Sequence, residues 1–329
     1  MDAFEYRTHE IIPDPLLGQN FLIDRSVMEQ ETEVLALSRD DSVLEIGPGM
    51  GWVTEMILPR CGSMTVVEKD RRFEPRLAGL GAAHPNLRIV WADAMTADLP
   101  PFTKAISNLP FRIALPLTFR ILEKDFSAAA LVYQKRLADR ICASSGQDHF
   151  CRLSVQIRRL AEARLIRIIP PAAFRPKPAV DCALVLLKKR VLFDVADTAY
   201  FKRVLDHLFF RRDLSCREAL ADLFRGREGD LDSCVSELGP NAAAAVQTLD
   251  VMDFGAIVRA LYERAVDVAE IPNDLKRKSQ KILKEEAGHE GRRGHALSDD
   301  SRHERDRKGR RAPTRRSGDG PRPRGRKRR

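Results

Sequence analysis

The stretch Val43 to Gly51, V-L-E-I-G-P-G-M-G, constrains the fold more than any other part of the chain. A short apolar run that breaks into alternating glycines suits a buried strand that must turn sharply and let a ligand approach its backbone. Around it, strand-like and helix-like runs alternate. Strands are predicted near Val43 to Ile46, Met64 to Val67, Leu87 to Trp91, Lys104 to Ser107, Ala128 to Tyr133, Arg164 to Ile169 and Cys182 to Leu187. Helices are predicted near Trp52 to Leu58, Arg71 to Leu80, Leu117 to Leu122, Lys135 to Ala143 and Arg152 to Leu160. An earlier helix should start at Ser26, which with Glu29 reads as a capping box. This alternation predicts a mostly parallel α/β sheet covered on both faces, with its ligand crevice at the carboxyl ends of the strands.

Beyond Lys189 the strand signal stops. Thr198 to Phe210, Cys216 to Phe224, Leu231 to Leu238 and Val251 to Val266 read as helices separated by Gly and Pro, so residues 190–272 are expected to form a small helical domain after a sheet domain of residues 1–189. The net charge of +9 is unevenly placed. Lys276 to Arg329 hold 21 Lys and Arg against 8 Asp and Glu, leaving the rest at −4. This segment, residues 273–329, has too few apolar residues to bury, so it is expected to be a disordered Arg/Gly-rich tail whose natural partner is a polyanion. Six cysteines without a C-x-x-C pair and seven histidines without ligand spacing predict reduced thiols and no metal. No apolar run is long enough to span a bilayer and the first residues are acidic, so a cytoplasmic protein without membrane association is expected.

The glycine loop narrows the ligand. A dinucleotide fingerprint requires G-x-G-x-x-G, but Gly47, Gly49 and Gly51 are spaced G-x-G-x-G and Trp52 follows. No Lys or Arg appears after the loop until Arg60, so nothing there answers a pyrophosphate. Glu68, about 20 residues on at the end of the second strand, can accept from both hydroxyls of a ribose. Asp93, in W-A-D-A-M after the third strand, can accept from an adenine amino group. S-adenosylmethionine carries those donors and a sulfonium.

The fourth strand runs into Asn108, Leu109, Pro110 and Phe111, N-L-P-F. Methyl transfer from a sulfonium to a neutral amine needs alignment and exclusion of water more than a strong base. An exocyclic adenine nitrogen is a weak nucleophile because its lone pair is delocalised, and accepting hydrogen bonds from its N–H groups favours the tetrahedral nitrogen that must form. The Asn108 side-chain oxygen and the Leu109 carbonyl are the candidate acceptors. Pro110 would fix the backbone and Phe111 would stack on the base. The simpler alternative is an Asn-capped turn before a helix begun by Pro116.

L-G-Q-N-F-L-I-D, E-I-G-P-G-M-G, V-E-K-D, A-D-A-M, N-L-P-F, R-L-S-V and P-P-A-A-F-R-P-K-P-A-V-D, in this order, resemble the KsgA-type small-subunit ribosomal RNA adenine dimethyltransferases, with an archaeal texture. The resemblance runs from about Leu17 to Val266. It implies a Rossmann-like, seven-stranded S-adenosylmethionine-dependent methyltransferase sheet with a small C-terminal helical domain that helps dock RNA. The implied reaction converts two adjacent adenines near the 3′ end of small-subunit rRNA to N6,N6-dimethyladenosine, with the immature small subunit as partner and the enzyme acting as a monomer. Carried over, the cofactor contacts would be Asn20, Leu22, Gly47, Glu68, Asp93 and Asn108. Phe174, in F-R-P-K-P, matches an aromatic near the target base, or else anchors a proline-stiffened loop.

The chain also departs from the family pattern. Phe111 stands where the family usually has Tyr, Arg112 and Ala114 replace small polar residues, and Asp213 and Glu218 dilute a Lys-rich helix. The basic tail is not a general family feature. Two other readings remain: an Erm-type 23S rRNA adenine methyltransferase of the same fold, and a ribosome-assembly factor whose methylation is secondary.

Overall fold

A computed structural model of the protein describes residues 13–14 and 18–269. The expected basic tail lies outside the described residues. Nine strands and ten α-helices follow in chain order among those residues. Seven of the strands form one sheet. Its central strand is β2 (Ser42–Ile46), flanked by β3 (Ser63–Glu68) and then β4 (Leu87–Trp91) on one side. On the other side lie β5 (Lys104–Asn108), β6 (Ala128–Gln134), β9 (Cys182–Lys189) and, at the edge, β7 (Ala161–Ile169). Pairing is parallel from β4 to β6, whereas β9 is antiparallel to both β6 and β7. The segment joining β7 to β9 contains no α-helix to make a parallel crossover, and it reverses the chain direction instead.

The pleat explains why these strands read as unbroken apolar runs. In β6, Ala128, Ala130 and Val132 face one core, while Ala129, Leu131 and Tyr133 face the other. The first core is closed by α1 (Arg25–Glu33) and α2 (Trp52–Ile57) through Val27, Met28 and Ile57. The second is closed by α4 (Ala114–Leu122), α5 (Lys135–Cys142) and α6 (Arg152–Arg158) through Leu117, Ile121, Ile141 and Ile157. The remaining early helix, α3 (Glu74–Ala83), sits beside the glycine loop, with Leu77 and Leu80 buried.

Two helix starts differ from the sequence expectation. Asp24, not Ser26, caps α1, because its carboxylate accepts the Ser26 amide at 2.9 Å and leaves Ser26 inside the first turn. Helix α4 begins at Ala114, two residues before Pro116, which still falls in the first turn where its missing N–H costs nothing. The sequence also gave no sign of a small second sheet. It pairs β1 (Phe21–Leu22) antiparallel with β8 (Phe174–Arg175), with Leu22 opposite Phe174.

After β9 the chain is helical. Helices α7 (Thr198–Phe210), α8 (Cys216–Ala221), α9 (Glu228–Leu238) and α10 (Val251–Glu263) surround Phe201, Val204, Leu208, Phe254 and Leu261. Phe150 and Val155, from the sheet-bearing part, complete this core. The Phe209 and Phe254 rings stack with centroids 5.3 Å apart. The described residues all fall in one compact unit. Among them no helix is long and apolar enough to cross a membrane.

Candidate active site

The strand order reverses at β2: the chain first builds outward through β3 and β4, then returns to place β5 on the opposite side. Such a switch point opens a crevice between the carboxyl ends of β2 and β5. The glycine loop leaves β2 there and N-L-P-F leaves β5. A cavity of about 370 Å³ occupies this place, within the range for small-ligand sites.

The loop glycines earn their places differently. Gly47, Gly49 and Gly51 all have positive φ, of 69°, 54° and 70°. A Cβ on Gly51 would lie 2.7 Å from the Leu80 side chain, so this glycine lets α3 pack against the loop. Nothing stands within 4 Å of where a Cβ on Gly47 would be, and Gly47 lines the cavity.

Glu68 ties the loop to β3. Its Oε2 accepts the Gly49 amide at 3.1 Å, and its Oε1 accepts the amides of Lys69 and Asp70, each at 2.8 Å. Burial raises the Glu68 carboxyl above its ordinary value, against the pull of those three donors. A carboxylate offers about four lone-pair sites, so one remains, enough for one ribose hydroxyl rather than the two expected from the sequence, because three backbone amides occupy the rest. Asp93 also lines the cavity. Its Oδ1 accepts the Met95 amide at 2.8 Å and its Oδ2 pairs with Lys69 Nζ at 2.9 Å; these two contacts hold its carboxyl below the usual range. Arg120 of α4 fixes the same turn by donating to the carbonyls of Ala94 and Ala97.

Asn108 is the last residue of β5, and its Nδ2 donates to the Asn20 carbonyl at 2.8 Å. That carbonyl is an acceptor, so the amide must turn its nitrogen toward it, leaving Oδ1 for the cavity. No described residue donates to Asn108 Oδ1 or to the Leu109 carbonyl. Pro110 and Phe111 continue the lining, and the Phe111 ring is half-buried.

Asn20, Gly47, Glu68, Asp93, Asn108, Leu109, Pro110 and Phe111 therefore converge on one cavity. Leu22 and Phe174 do not. Successive residues of β1 face opposite sides, so Phe21 lines the cavity while Leu22 enters the core. Phe174, on the paired strand, is fully buried in the same core and takes the anchoring place. Sequence reasoning overlooked the supports. Gln19 donates to Asp70 at 2.8 Å, and Asp70 pairs with Arg72 at 2.5 Å, bracing L-G-Q-N-F-L against V-E-K-D. Both residues stood in quoted motifs, but only their pairing in space reveals the brace.

The lining fits S-adenosylmethionine: acidic acceptors for a ribose hydroxyl and an adenine amino group, a glycine backbone that admits close approach, and an apolar wall. Comparison with known proteins agrees with this chemistry. The family described as ribosomal RNA adenine dimethylase matches residues 15–261. The chain is 36% identical over 220 residues to a Methanococcus maripaludis protein named probable ribosomal RNA small subunit methyltransferase A, covering 66% of this chain and 82% of that one. A protein of the same name from Methanothermobacter thermautotrophicus is 37% identical over 218 residues, covering 65% and 77%. Among solved structures, a dimethyladenosine transferase from Plasmodium falciparum superimposes with a TM-score of 0.66 at 20% identity, over 75% of this chain and 98% of that one, which shows a common fold. The 23S rRNA methyltransferase ErmE superimposes with a TM-score of 0.59 at 25% identity, over 74% and 99%. The chain belongs to the ribosomal RNA adenine dimethylase family, whose members are S-adenosylmethionine-dependent methyltransferases.

Proposed function

We propose that the protein dimethylates the N6 positions of two adjacent adenines near the 3′ end of small-subunit rRNA, acting as a cytoplasmic monomer on the immature subunit during its assembly. The orientation of Asn108 carries this reading. With Nδ2 committed to the Asn20 carbonyl, Oδ1 and the Leu109 carbonyl form a pair of acceptors suited to the two hydrogens of an exocyclic amino group. Pro110 restricts the backbone that presents them. Phe111 offers a ring on which a base drawn out of its stack can rest.

Gly47, Glu68, Asp93, Asn20 and, at the methyl end, Asn108 are the residues we assign to the cofactor. S-adenosylmethionine, when bound, supplies an electrophilic methyl group. Glu68 holds the ribose end and keeps the glycine loop closed. Asp93 receives the adenine end in competition with Lys69. Leu22 and Phe174 act from the core by joining β1 to β8, which fixes Asn20 and Phe21 at the entrance. The names of the archaeal relatives favour the small subunit as substrate over the large-subunit target in ErmE's name.

Labelled methyl transfer to immature small subunits and, in parallel, to protein-free large-subunit RNA tests this reading, with mass spectrometry of the nucleosides. Dimethyladenosine in the small subunit alone is expected. Label in the large-subunit RNA would indicate Erm-type activity, and tight subunit binding with no label would indicate an assembly factor.

A further inference from the structure

A nucleotide whose base enters a pocket leaves its phosphates at the mouth. Arg112 lies at that mouth, directly after Phe111, exposed to solvent. It has no hydrogen-bond or ion-pair partner among the described residues. The other basic residue lining the cavity, Lys69, is held by Asp93. Arg136 is also exposed and without a partner among the described residues. It stands just past the end of β6 as Arg112 stands just past the end of β5. These are neighbouring parallel strands, with Asn108 opposite Val132, so both arginines occupy one carboxyl edge of the sheet.

The helical region offers much less. Residues 190–269 contain ten Lys and Arg against fourteen Asp and Glu. Many of those cations are already engaged: Arg211 and Arg225 with Asp222, Arg217 with Asp232, Arg227 with Asp230, and Arg264 with Glu237. A guanidinium presents five N–H donors in a rigid fork that matches phosphate. We propose that Arg112, with Arg136 on the same edge of the sheet, grips the phosphates of the RNA strand that delivers the target adenine. This deepens, and rests on, the RNA reading above. Arg112 is a positioning residue, anchoring the strand so that the base reaches Phe111 and Asn108.

The test is the salt dependence of binding to a fluorescent oligoribonucleotide carrying two adjacent adenines, with the affinity for S-adenosylmethionine measured alongside. Each phosphate contact on a single strand contributes about 0.7 to the slope of log K against log salt. Arg112→Ala should lower the slope by about 0.7, Arg136→Ala by a similar amount, and Arg112→Lys should keep it. Arg88→Ala removes an exposed charge near the amino end of the edge strand β4, far from the mouth, and should leave the slope unchanged. An unchanged slope in Arg112→Ala, or an equal fall in Arg88→Ala, would overturn the proposal while leaving the RNA reading intact. Loss of S-adenosylmethionine affinity in Arg112→Ala would also overturn it, by making the anion the cofactor's carboxylate. A wild-type protein that does not bind the RNA would overturn both.

Discussion

Replacing Glu68 with Gln separates the two tasks assigned to this side chain. In the native protein both carboxylate oxygens accept backbone amides, Oε1 from Lys69 and Asp70 and Oε2 from Gly49. Glutamine has one acceptor oxygen. Placed toward Lys69 and Asp70, it keeps two bonds, and its NH₂ then meets the Gly49 amide donor against donor. Losing one charge-assisted bond costs about 1.5–3 kcal/mol, and because Gly49 belongs to the loop, the folded protein loses stability by about that much. The ribose diol loses a charged acceptor as well, a second loss of similar size, which weakens cofactor binding roughly tenfold to a hundredfold. Calorimetric titration with S-adenosylmethionine and urea unfolding measure the two effects on one preparation. A variant that binds within about threefold of wild type, or that unfolds at the wild-type urea midpoint, would refute the assignment of Glu68 as both tether and ribose acceptor.

Other residues give independent outcomes. Gly51→Ala forces a left-handed φ of 70° on a residue whose Cβ would meet Leu80, and should destabilise the protein by about 1–3 kcal/mol in urea unfolding, with no loss if the loop can relax. Glu31 is buried with its Oε1 unpartnered, and burial followed by the nearby Glu45 pushes its carboxyl up to about 8. An unfolded glutamate titrates near 4.5, so the folded state holds a proton the unfolded chain releases. The resulting stability is full below that value and is lost as pH rises to about 8, by at most about 5 kcal/mol. Glu31→Gln should therefore match wild type at acidic pH and exceed it in stability above pH 8, while the part due to Glu45, whose carboxyl burial raises to about 7, persists. Parallel stability curves for the two proteins would contradict this. Phe174→Ala should cost about 3–5 kcal/mol of stability, as a core truncation does, whereas a stable variant with only a raised KM for RNA would return Phe174 to the substrate.

Much of the site was legible in the sequence because its residues sit at strand ends, where one dimension already fixes the neighbourhood. Gly47, Glu68, Asp93 and Asn108 end or follow four consecutive apolar runs, and a parallel sheet built from those runs gathers their ends on one edge. Supports contributed by distant segments were not legible. The β1–β8 pairing spans two residues a side, too short for a periodic signal, yet it decides that Phe21 lines the cavity while Leu22 and Phe174 fill the core. The Asn108 to Asn20 bond joins positions 88 residues apart, and nothing in either stretch announces it. Charge pairing was equally hidden, because the sequence shows that Asp213 and Glu218 dilute the basic helix but not which groups they engage. In the fold Glu218 completes the capping box that Ser215 opens on α8, Asp213 accepts from Gln247, and Asp222 engages Arg211.

The most direct measurement is single-turnover methyl transfer to adenine in small-subunit RNA by wild type and Asn108→Ala, each saturated with S-adenosylmethionine. Losing one pre-oriented acceptor should slow the chemical step about 10²- to 10³-fold while cofactor affinity changes less than about tenfold. A wild-type rate from Asn108→Ala would contradict the central claim, because the acceptor pair at the end of β5 would then take no part in the reaction.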